Sequence, residues 1–288
     1  MIRRSGPRHG CEGRCLPGPA GEERRGREGR RGPVLHAAPA DTGDCGRGAA
    51  QTRRGDLRPG CGTGRFLLAG YAHTRRHHKP SGAQIKHLHT EALRGVELVD
   101  SVARLCCMNM VLHGIGGDAS VPVPVEVKDA LAAKGNEFDV VLSNPPFGKK
   151  SSVTIVNEAG ESSRETLTIH RDDFWATTSN KQLNFVQHIF STLKQHGRAA
   201  VVVPDNVLFE GGAGETIRRE LLKQADVHTL LRLPTCIFYA QGVKANVLFF
   251  DKKPAREKPW TEKLWIYDLR TNMHFTVKEN PLKRADLN

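Results

Sequence analysis

The stretch DVVLSNPPFGKKSS, residues 139–152, begins as a strand and runs into four residues, Asn144, Pro145, Pro146 and Phe147, that no ordinary turn requires. The run before them, EFDVVLS (137–143), is continuously apolar at its centre, the texture of a strand covered on both faces in a parallel sheet. A chain leaving such a strand emerges at the carboxyl edge of the sheet, where open α/β folds bind ligands. Two consecutive prolines hold φ near about −65° and remove two N–H donors, leaving a rigid backbone whose carbonyls accept hydrogen bonds.

Acceptors in that place suit an amino group on an aromatic ring. Its lone pair is delocalised into the ring, so it is a poor nucleophile until the nitrogen becomes sp³-like. The Asn144 side-chain oxygen and the Pro145 carbonyl would favour that form. Phe147 offers a flat face for a nucleobase, a contact worth about 1–3 kcal/mol, against the few kcal/mol needed to take a base out of its duplex. The competing reading is a proline strand stop with Phe147 in the core. Asn-Pro-Pro-aromatic directly after an apolar strand favours the first.

Working outward, strands and helices alternate as in βαβ units. FLLAGYAHTRRHH from Phe66 reads as a helix, RGVEL (94–98) as a strand and SVARLCCMNMVLHG (101–114) as a second helix. NKQLNFVQHIFSTLKQHG (180–197) reads as an amphipathic helix closed by Gly197, RAAVVVP (198–204) as a strand and GAGETIRRELLKQA (212–225) as a helix. DVHTLLRLP, KANVLFFDK and EKLWIYDLR follow as three strands without intervening helices, so the sheet is expected to finish with antiparallel strands. Residues 148–179 are polar and aperiodic, and read as a long functional or mobile loop.

PGCGTGRFLLAG (59–70) puts Gly62 and Gly64 just ahead of a helix, where backbone N–H groups approach a ligand as no Cβ would allow. Glu97 ends the next strand, and a carboxylate there can accept both hydroxyls of an adenosine ribose. Its alternative is a solvated strand-end residue. No glycine-rich loop continues into Lys and Ser or Thr, which excludes a P-loop and points to a nucleoside without a phosphate chain.

The 288 residues carry a formal charge of +12 and a pI near 9.6, which favours an acidic partner. Much of the arginine lies in residues 1–56, which hold twelve arginines, seven acids and no lysine, and show no helix or strand period. That segment reads as a disordered Arg/Gly-rich arm, solvated or bound to nucleic acid, although it lacks aromatics for base stacking. Seven cysteines occur with no C-x-x-C pair and no zinc spacing, as expected of reduced thiols in a cytoplasmic protein. No apolar run approaches the roughly 18 residues of a membrane span, and no export signal or membrane attachment is expected.

From Cys61 onward the chain resembles the adenine-N6 DNA methyltransferases, and more closely the modification subunit of type I restriction-modification systems. TEALRGVELVDSVARLCCMN, NPPFGKKSS, GRAAVVVPDNVLFEGG and LPTCIFYAQGVKANVLFFDK carry the resemblance. It implies an α/β, class I S-adenosylmethionine-dependent methyltransferase (Rossmann-like) fold over residues 57–288, with a mostly parallel sheet. It further implies Asn144, Pro145, Pro146 and Phe147 as the catalytic tetrapeptide, and Cys61, Gly62, Thr63, Gly64, Arg65 and Glu97 as contacts to S-adenosyl-L-methionine. No metal is implied. The expected partners are double-stranded DNA, a specificity subunit and a restriction subunit. Related chemistry on RNA bases or a protein glutamine amide, and an inactive relic of such a subunit, stand as alternatives.

The family pattern Asp-Pro-x-Cys-Gly-x-Gly is here RPGCGTG, with Arg58 in the acidic position facing the cationic end of the cofactor. The family's helical N-terminal region, its Phe-Thr-Pro stretch and its C-terminal helices are not found, so 57–288 reads as an incomplete catalytic domain. A family-like run encoding Ile-Cys-Asp-Pro-Ala, read one base earlier, gives the Asp-Leu-Arg-Pro-Gly that stands at 56–60. Residues 1–56 are therefore expected to be frame-shifted if they are not an arm. Cys236 replaces a more usual glycine, and His73, His77, His78, His87 and His89 read as surface residues near a loop.

Overall fold

The computed structural model describes residues 56–117, 121–147, 152–156, 162–166, 168–235, 237–238, 243–270 and 282. Residues 1–55 and Cys236, with the expectations placed on them, lie outside that set.

The first half alternates strands and helices: β1 (Asp56–Pro59), α1 (Arg65–His78), α2 (Gly82–Thr90), β2 (Leu93–Glu97), α3 (Asp100–Leu112), β3 (Val125–Val127) and β4 (Phe138–Ser143). The hairpin β5 (Ser152–Val156) and β6 (Ser162–Thr166) follows. Then come α4 (Lys181–Ser191), β7 (Leu193–Pro204), α5 (Asp205–Phe209), α6 (Ala213–Gln224), β8 (Ala225–Arg232), β9 (Ala245–Lys252) and β10 (Trp265–Asp268). Eight strands form one sheet in the order β10-β8-β9-β7-β4-β1-β2-β3. From β1 the chain steps outward to β2 and β3 on one side and from β4 to β7 on the other, with β9 inserted between β7 and β8, so the topological switch point lies between β1 and β4. Three consecutive valines of β7, Val201 to Val203, are buried, as a strand covered on both faces requires.

The sheet is mixed, as expected, but the reversal is confined to β9, which runs antiparallel to β7 and to β8. The outermost strand β10 is parallel to β8. β1 begins at Asp56, one residue inside the segment read as the arm, and pairs in parallel with β2 and β4. Among the elements that escaped the periodicity are β3 and α2. β3 is only three residues long, and α2 joins Ser81 and Gln84 in a capping box. His89 is consequently no loop residue, because α2 brings its Nε2 to 2.9 Å from the Tyr71 hydroxyl.

α4 stops at Ser191, six residues short of Gly197. At its end the Thr192 hydroxyl turns back onto the carbonyls of His188 and Ile189, and the chain enters β7 at Leu193. Gly197 lies within β7, where the register with β4 shifts, and a Cβ there would stand 2.9–3.1 Å from three backbone carbonyls. The glycine serves close approach of two strands, not helix termination.

Residues 148–179 also differ from a loop. β5 and β6 pair antiparallel, and a strap from residue 168 to 179 packs Ile169, Phe174 and Trp175 on the main core. α4 lies beneath this strap with every residue from Gln182 to Ser191 buried. A helix buried all round must pair its polar side chains. Asn184 donates to the Thr178 carbonyl, and Gln187 both accepts from Ala176 N–H at 2.9 Å and donates to its carbonyl at 3.0 Å. Among the described residues no helix is long and apolar enough to cross a membrane.

Candidate active site

β1, β2 and β4 are neighbours and parallel, so their carboxyl ends deliver the glycine turn, Glu97 and Asn144 to one edge of the sheet. The turn extends from β1 with Cys61 N–H donating to the Val96 carbonyl at 2.9 Å, and it closes with Gly64 N–H on the Cys61 carbonyl at 3.0 Å. Gly62 and Gly64 hold φ of 56° and 78°, the left-handed region in which glycine pays no Cβ penalty. A Cβ on Gly64 would also come within 2.7 Å of Cys106 Sγ, so the turn lies hard against α3. From α3, Asn109 donates to the Thr63 carbonyl at 2.9 Å.

Glu97 Oε2 accepts the Gly62 N–H at 2.9 Å, and Oε1 accepts those of Leu98 and Val99 at 3.0 and 3.2 Å. A carboxylate offers about four acceptor positions, so one remains for a hydroxyl of a bound nucleoside, and further hydroxyls would compete with these N–H groups. The half-exposed Glu97 is therefore open to one hydroxyl and not to both at once, while Thr63 is half-exposed and Arg65 exposed. Cys61 differs from the other residues of the turn. Its side chain is buried with Leu67, Met110 and Cys106, and the two sulfurs are 3.8 Å apart. The hydrogen bond to Cys106, burial and the Cys106 and Glu97 charges all push the Cys61 thiol upward. It packs the underside of the turn as a neutral thiol, leaving only its backbone for a ligand. The side chain of Arg58 is outside the described residues.

Asn144 is half-buried, and its Oδ1 is fully buried with no hydrogen-bond partner among the described residues. An orphaned acceptor costs about 1–3 kcal/mol, and at a ligand edge it marks a place where a donor belongs. Pro145 is buried and Pro146 exposed, the latter 4.0 Å from the position of a Cβ on Gly60. The tetrapeptide thus lies beside the residue that leads into the glycine turn. Phe147 is half-buried and meets the edge of Phe238, with ring centroids 5.7 Å apart at 75°. It packs on the edge of the cluster that contains Val202, Leu233 and Val247, between the core and stacking positions the sequence left open.

Two residues at the site went unnoticed in the sequence. Gln182 Nε2 donates to the Pro146 carbonyl at 3.1 Å, and Phe238 supports Phe147. Neither has a local signal, since each acts through a contact across the fold. Among the described residues no group of three or more His, Cys, Asp or Glu is placed to hold a metal.

The N-6 DNA Methylase family matches residues 50–288. The chain is 45% identical over 204 residues to the type I restriction enzyme StySPI methylase subunit of Salmonella potsdam, covering 68% of this chain and 36% of that protein. It is 46% identical over 197 residues to the EcoKI methylase subunit of Escherichia coli K12, covering 66% and 34%. The crystal structure of the type I restriction enzyme EcoKI M protein superposes with a TM-score of 0.69 at 40% identity, over 82% of this chain and 48% of that one. The chain therefore spans about a third of the length of these curated relatives. The sheet with its switch point at β1 and β4 is the class I S-adenosylmethionine-dependent methyltransferase fold. With the family match spanning the glycine turn, Glu97 and the Asn-Pro-Pro-Phe edge alike, the chain belongs to the N-6 DNA methylases.

Proposed function

We propose that this chain carries the catalytic core of a type I modification subunit that methylates adenine N6 in double-stranded DNA, using S-adenosyl-L-methionine. The carrying observation is the orphaned, buried Asn144 Oδ1 at the same sheet edge as the glycine turn and Glu97. S-adenosyl-L-methionine, when bound, supplies an electrophilic methyl group. Gly62, Thr63, Gly64, Arg65 and the Cys61 backbone are the residues to border it, with Glu97 accepting from its ribose. Asn144 Oδ1 and the Pro145 carbonyl accept the two hydrogens of the adenine amino group, which orients its lone pair and receives the positive charge that develops there. Phe147, backed by Phe238, offers its face to the base.

The names of the relatives, each a methylase subunit of a type I restriction enzyme, support a specificity subunit and a restriction subunit as partners. A DNA substrate supports a cytoplasmic assembly. Arg58, where the family has an acid, favours a second reading: a relic whose residues 1–56 are frame-shifted and which keeps the fold without binding cofactor.

Calorimetry with S-adenosyl-L-methionine separates the two, run on this chain and on Arg58→Asp. Labelled methyl transfer to duplex DNA, RNA and a glutamine peptide, with a specificity subunit added, then identifies the substrate. Binding by this chain and adenine labelling in DNA support the proposal. Binding by Arg58→Asp alone establishes the relic, and labelling of RNA or peptide alone overturns the DNA assignment.

A further inference from the structure

Among the described residues no hydrogen bond aims Asn144 Oδ1, so its direction is inherited from the backbone of the tetrapeptide. That backbone lacks N–H groups at two consecutive positions, Pro145 and Pro146, and cannot be tied there by donors of its own. Upstream it is fixed by the pairing of β4 with β7, and downstream by the packing of Phe147 on Phe238. Between these anchors the described hydrogen bond comes from α4, where Gln182 Nε2 donates to the Pro146 carbonyl at 3.1 Å.

Gln182 is itself held. It is 6% exposed, and its N–H is bound by the side-chain oxygen of Asn180 at 3.0 Å, which caps the helix. Asn180 in turn donates to Glu210 Oε2 at 2.5 Å. The far side of α4 is clamped by the Ala176 and Thr178 bonds to Gln187 and Asn184. The donor that reaches Pro146 thus stands on a helix fixed from two directions.

We infer that Gln182 is a positioning residue: its amide sets the Pro146 carbonyl and thereby aims Asn144 Oδ1 at the amino group to be methylated. The catalytic consequence rests on the methyltransferase reading, whereas the clamp itself does not. Gln182→Met keeps most of the volume and removes the donor. Gln182→Glu turns an acceptor toward the carbonyl.

Pro followed by Phe occurs once in the chain, at 146–147, so labelling Pro with carbonyl ¹³C and Phe with ¹⁵N gives one resonance that reports the Pro146 carbonyl. In Gln182→Met that resonance moves upfield as the hydrogen bond is lost. With the specificity subunit and duplex DNA present, kcat falls by about tenfold to a hundredfold, the scale of a small misplacement at a reacting centre. KM for S-adenosyl-L-methionine stays within twofold, which a merely structural loss would not produce. An unmoved resonance overturns the clamp, and a moved resonance with unchanged kcat overturns the positioning role. If the unsubstituted protein transfers no methyl group while the resonance still moves, the clamp stands and it is the methyltransferase reading that falls.

Discussion

Glu97 at the end of β2 accepts the N–H of Gly62 at 2.9 Å, so a single carboxylate joins two parallel strand ends across 35 positions of sequence. The bond orders the glycine turn before any nucleoside arrives, and the same oxygen retains acceptor capacity for one. Glu97→Ala removes three hydrogen bonds from a charged acceptor, each typically worth about 1.5–3 kcal/mol. Calorimetry is expected to show S-adenosyl-L-methionine affinity weakened by about thirtyfold or more, with Glu97→Gln between the extremes. An affinity unchanged within twofold would remove Glu97 from the site.

Asn144→Ala is expected to separate activity from stability. Its Oδ1 is a buried acceptor without a partner among the described residues, so deletion relieves a cost of about 1–3 kcal/mol that offsets the packing lost with the side chain. Thermal unfolding should therefore give a Tm equal to or above that of the parent, while methyl transfer falls by about a hundredfold or more. A Tm drop of many degrees would mean that Asn144 serves the fold rather than chemistry.

The parts of the site visible in the sequence are those that depend on local chain direction. A β-strand breaking into Asn144-Pro145-Pro146-Phe147 and a glycine pair before a helix each say where the backbone goes. Glu97 was legible because it ends a strand at a fixed distance from that turn. Gln182 and Phe238 were not, because their roles are defined only once α4 and the segment after β8 fold back on the tetrapeptide. α4 was overextended to Gly197 because LKQHG continues a helix-compatible composition, while the pairing of Leu193 with Phe138 of β4 that turns it into strand leaves no period. The strap after β6 was hidden for a related reason: its polar surroundings concealed Phe174 and Trp175, which the core claims.

Gln187→Leu tests the strap. Gln187 is 1% exposed and satisfies both the N–H and the carbonyl of Ala176. Leucine fills similar space and leaves both groups unpaired, at a cost of about 1–3 kcal/mol each. Urea unfolding should show a loss of at least about 2 kcal/mol. A loss under half of that would mean water replaces the amide and the strap is not held by it.

His188 should make stability depend on pH in a window set by its own protonation. It is 4% exposed, and Arg171 donates to its Nδ1 at 3.1 Å, which fixes the neutral tautomer with the proton on Nε2. Burial, then the Arg171 guanidinium, lowers its pKa from the ordinary 6.5 to about 4, with Asp173 pulling the other way and Lys128 adding slightly. The unfolded chain binds the proton more readily than the folded one, so stability is complete above about pH 6.5. It declines as pH falls toward 4, by up to about 3 kcal/mol. Asp173 acts lower on the scale: burial would raise it, but hydrogen bonds from Arg171 and Ser191 prevail and hold its carboxyl below the ordinary 3.8. His188→Gln keeps an acceptor for Arg171 and cannot titrate. Urea unfolding of the parent between pH 4.5 and 7.5 should give a rising curve that this substitution flattens, and an equally steep curve in both would place the pH sensitivity elsewhere in the protein.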